Sequence, residues 1–345
     1  MHWKWQKMII VFKPNCPETE IQKVEKMVSD MGYEPRLIKG VEHTVLGAVG
    51  DENLHMSLEA LKNIPCIEDV HPIQKKYKLA SREIHPENSI FRIGNQEIGG
   101  KKFQIIAGPC AIESAEQMDI AASTLTADGV GILRGGAFKP RTSPYDFQGL
   151  GQKGLDILQA VKDKYHVPVV TEVVGIPSIN AVAKVADCIQ IGARNCQNYN
   201  LLENVAQAGR PVLLKRGMSA TVEEWLNAAE YLLVHGCTGV ILCERGIRTF
   251  ETSTRNTLDI SAVAVAKKES HLPVVVDPSH AAGKLEYVLP LAKAAAAIGA
   301  DGIIVESHPA PVKALSDAAQ QIPCADFKAF MEALRPFVEA AGRTL

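Results

Sequence analysis

The spacing of apolar positions changes once along the chain. In the first 75 residues, short apolar runs flank a clear amphipathic helix. Residues 7–13 (KMIIVFK) read as a strand and residues 18–31 as a helix, with Ile21, Val24, Met27, Val28 and Met31 three or four apart. Gly32 ends that helix. Strand-like runs follow at 34–38 and 43–49, then a helical stretch at 55–63 and a strand at 67–73. The order is βαββαβ, which predicts a small antiparallel sheet with both helices on one face. Residues 74–89 (QKKYKLASREIHPENS) are charged and patternless, so they predict a boundary. The division expected is a domain at 1–75, a linker at 76–90 and a second domain at 91–345. The latter is expected to open with a strand pair, 91–98 and 102–107, joined through Gly99-Gly100.

From residue 104 onward, runs that are apolar throughout alternate with helical patterns. The runs are 104–108, 131–134, 167–173, 188–193, 211–216, 240–244, 273–277 and 302–306. Strands covered on both faces read this way. The intervening helices carry start signals, with Ser114 three before Gln117 and Thr221 three before Glu224. Eight βα units in this length predict a (β/α)8 barrel. A doubly wound open sheet is the alternative, but no GxGxxG follows the first strand.

In a barrel, chemistry gathers where the strands end. Those positions hold Cys110, Arg134, Glu172, Arg194, Lys215-Arg216, Arg245, His280 and Glu306, with Asp317 a little further on. The cations Arg134, Lys139, Arg141, Arg194, Lys215, Arg216 and Arg245 on one rim predict small anionic ligands, phosphate esters or carboxylates. Cys110, His280 and Glu306 would converge in a closed barrel, with Asp317 eleven residues past Glu306. One thiolate, one imidazole and two carboxylates suit a borderline divalent ion: Mn, Fe, Co or Zn. The loop over 135–154 contains Lys139-Pro140-Arg141-Thr142, two cations and a hydroxyl on a stiffened backbone, which suits a phosphate.

Composition narrows the setting. The 345 residues carry 37 basic and 39 acidic side chains, so no basic excess points to nucleic acid. No apolar run is long enough to span a bilayer, and residues 1–7 lack a signal-peptide core. Eight scattered cysteines without a CxxC pair read as reduced thiols, and a cytoplasmic protein is expected.

The segments GPCAIES, LRGGAFKPRTSPYDFQG, IGARN, LLKRG, CERG, DPSH and VESHP, in this order, closely resemble the 3-deoxy-D-arabino-heptulosonate 7-phosphate (DAHP) synthases. More narrowly, the chain resembles the subfamily with a ferredoxin-like domain before the barrel. Cys196 stands where a Met is expected and Ser307 where a Val is common. No chorismate mutase module is apparent, because the first domain has strands. The resemblance implies condensation of phosphoenolpyruvate with erythrose 4-phosphate and water, releasing phosphate, as the first step of the shikimate pathway. It implies metal ligation by Cys110, His280, Glu306 and Asp317. Arg134, Lys139 and Lys215 would surround the phosphoenolpyruvate carboxylate and reacting centre. Arg194, Arg245 and the Ala193 backbone would hold its phosphate. Pro140, Arg141 and Thr142 would contact erythrose 4-phosphate, Lys139 would supply a proton, and Glu172 would orient the water. It further implies feedback by tyrosine or phenylalanine through the first domain, in a homo-oligomer, tetramer or dimer. The 74–89 segment would then be the hinge.

Two other readings compete. A 3-deoxy-D-manno-octulosonate 8-phosphate synthase would use arabinose 5-phosphate on a similar barrel, but the KPRTS run argues against it. A non-catalytic phosphosugar sensor would have no use for a cysteine-containing metal site.

Overall fold

The computed structural model describes the chain apart from residues 1–4, 40–43, 52–57, 73–75, 141, 142 and 144. It divides into two compact units, Met1–Lys76 and Tyr77–Leu345.

The first unit is built from β1 (Trp5–Phe12), α1 (Glu18–Asp30), β2 (Glu34–Lys39), β3 (Thr44–Asp51) and β4 (Ile67–Pro72). The strands form one antiparallel sheet in the order β2-β3-β1-β4. Ile21, Val24 and Val28 of α1 are buried with Ile10, Phe12, Leu46 and Val70 of the sheet. Met27, on the same predicted stripe, is instead 46% exposed. The helical stretch before β4 is a 3₁₀ turn at Leu58–Asn63, and residues 55–57 of that prediction lie outside the described residues.

The stretch from Tyr77 to Ser89 is not the linker its composition suggests. It is stitched to the second unit. The Leu79 and Ala80 amides both donate to the Glu230 carboxylate at 2.9 Å, and Arg82 Nε donates to the Lys267 carbonyl at 2.8 Å. His271 bridges the Leu79 carbonyl and the Ser89 hydroxyl. Arg82 and the Leu79 and Ala80 amides find partners on neighbouring helices, so a polar composition does not make the stretch loose.

The expected strand pair also falls elsewhere. β5 (Phe91–Ile93) and β6 (Gln96–Ile98) form a hairpin by themselves, turning at Gly94 in left-handed backbone. Residues 102–107 do not supply the second strand of that pair; 104–108 opens the barrel, as its apolar run predicts. The eight parallel strands are β7 (Gln104–Gly108), β8 (Ile132–Arg134), β9 (Val169–Val173), β10 (Cys188–Ile191), β11 (Val212–Lys215), β12 (Val240–Glu244), β13 (Val274–Val276) and β14 (Gly302–His308). They pair in sequence, and β14 closes the ring against both β7 and β13.

Side chains alternate in and out of this ring. The outward set, such as Ile105, Leu133, Val169, Leu214 and Val305, packs under the helices in one large core. The inward set makes a second, smaller core of Ile106, Ile132, Val170, Leu213, Ile241, Val275 and Ile304. Ile93 and Ile98 of the hairpin are fully buried in it, and the Glu97 carbonyl accepts from Gln104 at the start of β7. The hairpin therefore plugs the amino-terminal end of the barrel and leaves the other end for chemistry. Helices α2 (Ala115–Ala127), α3 (Gln152–Tyr165), α4 (Ile179–Val185), α5 (Tyr199–Ala206), α6 (Val222–Val234) and α7 (Ile260–Glu269) follow β7 to β12 in turn. Short helix α8 (Pro278–Ala282) follows β13, and α9 (Leu285–Ala297) and α10 (Phe327–Ala340) complete the wall. Among the described residues, no helix is long and apolar enough to cross a membrane.

Truncating the plug should cost core packing with little room to collapse. Ile98→Ala is expected to destabilise the protein by about 2–5 kcal/mol, read from urea denaturation. A change well below 1 kcal/mol would mean that the hairpin does not seal the barrel.

Candidate active site

Alternation decides which strand-end residues enter the barrel. On β11, Lys215 points in, so its neighbour Arg216 must point out. Arg216 pairs with Glu244 and Asp259, both at 2.9 Å, behind the barrel wall. It leaves the basic rim set for that reason. Two residues on from the inward Cys243, Arg245 turns back toward the interior and lines the mouth.

The mouth is a cavity of about 390 Å³. Lys139, Pro140, Glu172, Ala193, Arg194, Lys215, Arg245, His280 and Asp317 all line it. Cys110, Arg134 and Glu306 are buried just behind: Cys110 meets Lys139, Glu306 meets His280, and Arg134 pairs with Glu306. Arg141 and Thr142 lie outside the described residues. The walls also include Met218, Arg248, Arg255 and Asn256, which no motif had marked.

Below the cavity, charges are paired across the barrel. Arg134 Nη1 donates to Glu306 Oε1 at 2.6 Å, and Lys215 Nζ donates to Asp277 Oδ2 at 2.5 Å. Each pair joins strands two apart in the ring, as side chains of one barrel layer do. Gln190 donates to Glu172 Oε2 at 2.9 Å. All of these groups are buried. Unpaired, each charge would be strongly destabilising at that depth.

The four expected metal ligands converge. Atoms of Cys110, Glu306 and Asp317 lie within 4.8 Å of one another. His280 Nε2 is 3.4 Å from Glu306 Oε1, and its Nδ1 faces Asp277 Oδ2 at 2.7 Å. Cys110 Sγ donates to Asp317 Oδ2 at 3.1 Å, contacts Ser316 Oγ at 2.9 Å and accepts from Lys139 Nζ at 3.1 Å. Burial pushes the Cys110 thiol up to about 12, and Glu306 adds to the effect. Burial also pushes the Glu306 carboxyl up, but His280 and Arg134 more than offset it and hold it at about 2. The His280 imidazole is pushed down by burial, against the pull of Asp277 and Glu306. Burial opposes the Lys139 ammonium too, yet the Cys110 sulfur and the Glu306 and Glu172 carboxylates more than offset it and push it up.

This donor set fits a divalent cation. A buried soft sulfur and two ionised carboxylates share one small volume, a neutral imidazole stands against one of those carboxylates, and the thiol spends its hydrogen on Asp317. A cation there is what would let the sulfur ionise.

Residues outside any recognised motif hold this arrangement. Gln320 Nε2 donates to Glu306 Oε2 at 2.6 Å, and Arg255 Nη1 donates to both Asp317 Oδ1 and Gln320 Oε1. Gln321 accepts the Cys110 amide and donates to the Ser316 carbonyl, tying the first strand end to the Asp317 segment. Asp317 itself has left-handed backbone, φ 50°. Asp277 was legible only as part of DPSH, and the two glutamines carried no signal.

The DAHP synthetase I family matches residues 83–340, and the DAHP synthase ferredoxin-like domain matches residues 8–75. The chain belongs to the DAHP synthetase I family. It is 50% identical to the phospho-2-dehydro-3-deoxyheptonate aldolase of Thermotoga maritima, over 97% of this chain and 99% of that one. The crystal structure of a Thermotoga maritima DAHP synthase superposes with a TM-score of 0.78 at 48% identity, covering 99% of both chains. A truncated form of the Thermotoga enzyme covers 78% of this chain, with a TM-score of 0.73. A 2-dehydro-3-deoxyphosphooctonate aldolase of Francisella philomiragia is 34% identical over 71% of this chain. The resemblance carried by the sequence motifs is therefore borne out, and the protein is an enzyme of the DAHP synthase family with an N-terminal ferredoxin-like domain.

Gly192 lets Glu172 stand where it does. A Cβ at Gly192 would lie 2.1 Å from Glu172 Oε1, and Gln190 holds the other oxygen. Gly192→Ala is expected to displace that carboxylate and lower kcat by about 100-fold with the melting temperature nearly unchanged. Unaltered steady-state turnover would show that the Glu172 position is immaterial.

Proposed function

We propose that this chain condenses phosphoenolpyruvate with erythrose 4-phosphate and water to give DAHP and phosphate. The observation that carries the reading is one cavity combining several cations with a buried thiol, imidazole and two carboxylates. Near-full-length identity of 50% to the Thermotoga aldolase supports it, and so does the matching first domain. The phosphooctonate aldolases match the barrel at lower identity and over a smaller share of this chain.

In this reading, Lys215 and Arg134 face the phosphoenolpyruvate carboxylate, and Arg194 and Arg245 bind its phosphate. The Ala193 backbone adds a donor. These groups fix the enol so that C3 can reach the aldehyde carbon, which removes much of the entropic barrier. Lys139, held protonated beside Cys110, delivers its proton to the aldehyde oxygen as that oxygen gains charge. Pro140, Arg141 and Thr142 hold the aldose phosphate. Glu172, fixed by Gln190, orients water toward C2, and phosphate then leaves into the Arg194–Arg245 pair. A divalent ion held by Cys110, His280, Glu306 and Asp317 would act as a Lewis acid at the aldehyde oxygen.

All the described lining residues of the cavity belong to the barrel unit. The first unit is therefore free for regulation, and tyrosine or phenylalanine is its proposed effector. Activity in the cytoplasm and a homo-oligomeric assembly belong to the same reading.

One assay tests the reading: phosphate release from phosphoenolpyruvate with either aldose phosphate, before and after chelation. Turnover is expected with erythrose 4-phosphate, lost on chelation and restored by Mn. Arg141→Ala should raise the KM for the aldose by at least about 10-fold, the loss of a charge-assisted bond, with phosphoenolpyruvate binding retained. Preference for arabinose 5-phosphate, or full activity after chelation, would contradict the proposal.

A further inference from the structure

Asp277 stands between the two halves of the site. It directly follows β13 and caps α8, its Oδ1 accepting the His280 amide at 2.9 Å. Its other oxygen, Oδ2, accepts from two donors at once: His280 Nδ1 at 2.7 Å and Lys215 Nζ at 2.5 Å. The carboxylate is 1% exposed, so no water competes for that oxygen from bulk solvent. His280 turns its remaining nitrogen toward Glu306 and the thiol–carboxylate cluster, while Lys215 lines the anion cavity. One buried oxygen thus holds a cation-side residue and an anion-side residue together.

An oxygen shared by two donors binds each less tightly when the other bond strengthens. If His280 Nε2 gives its lone pair to a cation, the ring becomes a stronger donor at Nδ1 and draws the Asp277 charge toward itself. Lys215 is then held more loosely and can turn its ammonium to an anion in the cavity. In the other direction, an anion on Lys215 returns the carboxylate charge to His280 and makes Nε2 a better ligand. We propose that Asp277 is a positioning residue that couples the two sites, so that a divalent cation and phosphoenolpyruvate each raise the affinity for the other. The proposal rests on the reading of the site given above and adds to it a thermodynamic link between its ligands.

A residue that only capped the helix would behave differently. Asparagine caps as well as aspartate, so Asp277→Asn keeps the corner between β13 and α8. With its carbonyl on the His280 amide, however, the variant places an NH2 group where two donors need an acceptor.

The test uses the full-length protein without aldose, so nothing turns over. Mn(II) binding is followed by the electron spin resonance of the free ion, with and without phosphoenolpyruvate. Phosphoenolpyruvate binding is followed by calorimetry, with and without Mn(II). In the wild type each ligand should tighten the other by the same factor, within about 5–150-fold. Asp277→Asn should bind Mn(II) about 10–100-fold more weakly. Its mutual factor should fall to about one, and its melting temperature should drop because Lys215 loses its buried counter-charge. Absence of mutual tightening in the wild type overturns the proposal even if the variant does not fold. So does a wild-type factor in Asp277→Asn, which would mean that the ligands interact directly. If neither ligand binds the wild type, the functional reading falls and this proposal with it.

Discussion

The constraint on which the site depends is the burial of opposite charges inside a closed barrel. Arg134 against Glu306 and Lys215 against Asp277 sit in a volume where neither partner would tolerate being alone. Pairing across alternate strands fixes each side chain in one place. It also leaves each with a second interaction to offer: Glu306 toward His280, and Asp277 toward His280. The cations above this layer, Lys139 and Arg245 among them, then present charge to a cavity without having to be assembled when a ligand arrives. Preorganisation of this kind is what an anionic transition state rewards.

The rest of the fold serves that layer. The small inner core and the β5–β6 plug keep the amino-terminal end dry, so the charged layer faces solvent on one side only. The segment after β14 supplies the complement. Gln320 and Gln321 anchor Glu306 and Cys110, while Asp317 closes on the sulfur from the same turn. Sites built on strand ends and held by neighbours in this way are more precise than sites on free loops.

Much of this was legible in the sequence because barrels impose a simple geometry. Eight runs apolar on both faces gave the strands, and the residues following them gave the rim. Alternation along a strand sorts that rim further: Lys215 and Arg216 cannot both face inward, and Arg216 belongs with Glu244 and Asp259. The stretch 77–89 reads as a linker because its polar groups look like solvent-facing ones. They are in fact partners for Glu230, Lys267 and His271, and pairings that distant leave no local pattern. The hairpin turns at Gly94, a tighter and earlier turn than the Gly99-Gly100 pair suggested. Gln320 and Gln321 were invisible for the same reason: their importance lies in what they meet, and an isolated glutamine says nothing about that.

We propose that Cys110, His280, Glu306 and Asp317 form a metal site at the edge of an anion-binding cavity. Diffraction from crystals grown with Mn(II), collected for anomalous signal, tests it most directly. The expected result is one strong anomalous peak within bonding distance of the Cys110 sulfur, His280 Nε2 and oxygens of both carboxylates. A fully loaded crystal with no peak there, or with its peak among other residues, would contradict the account.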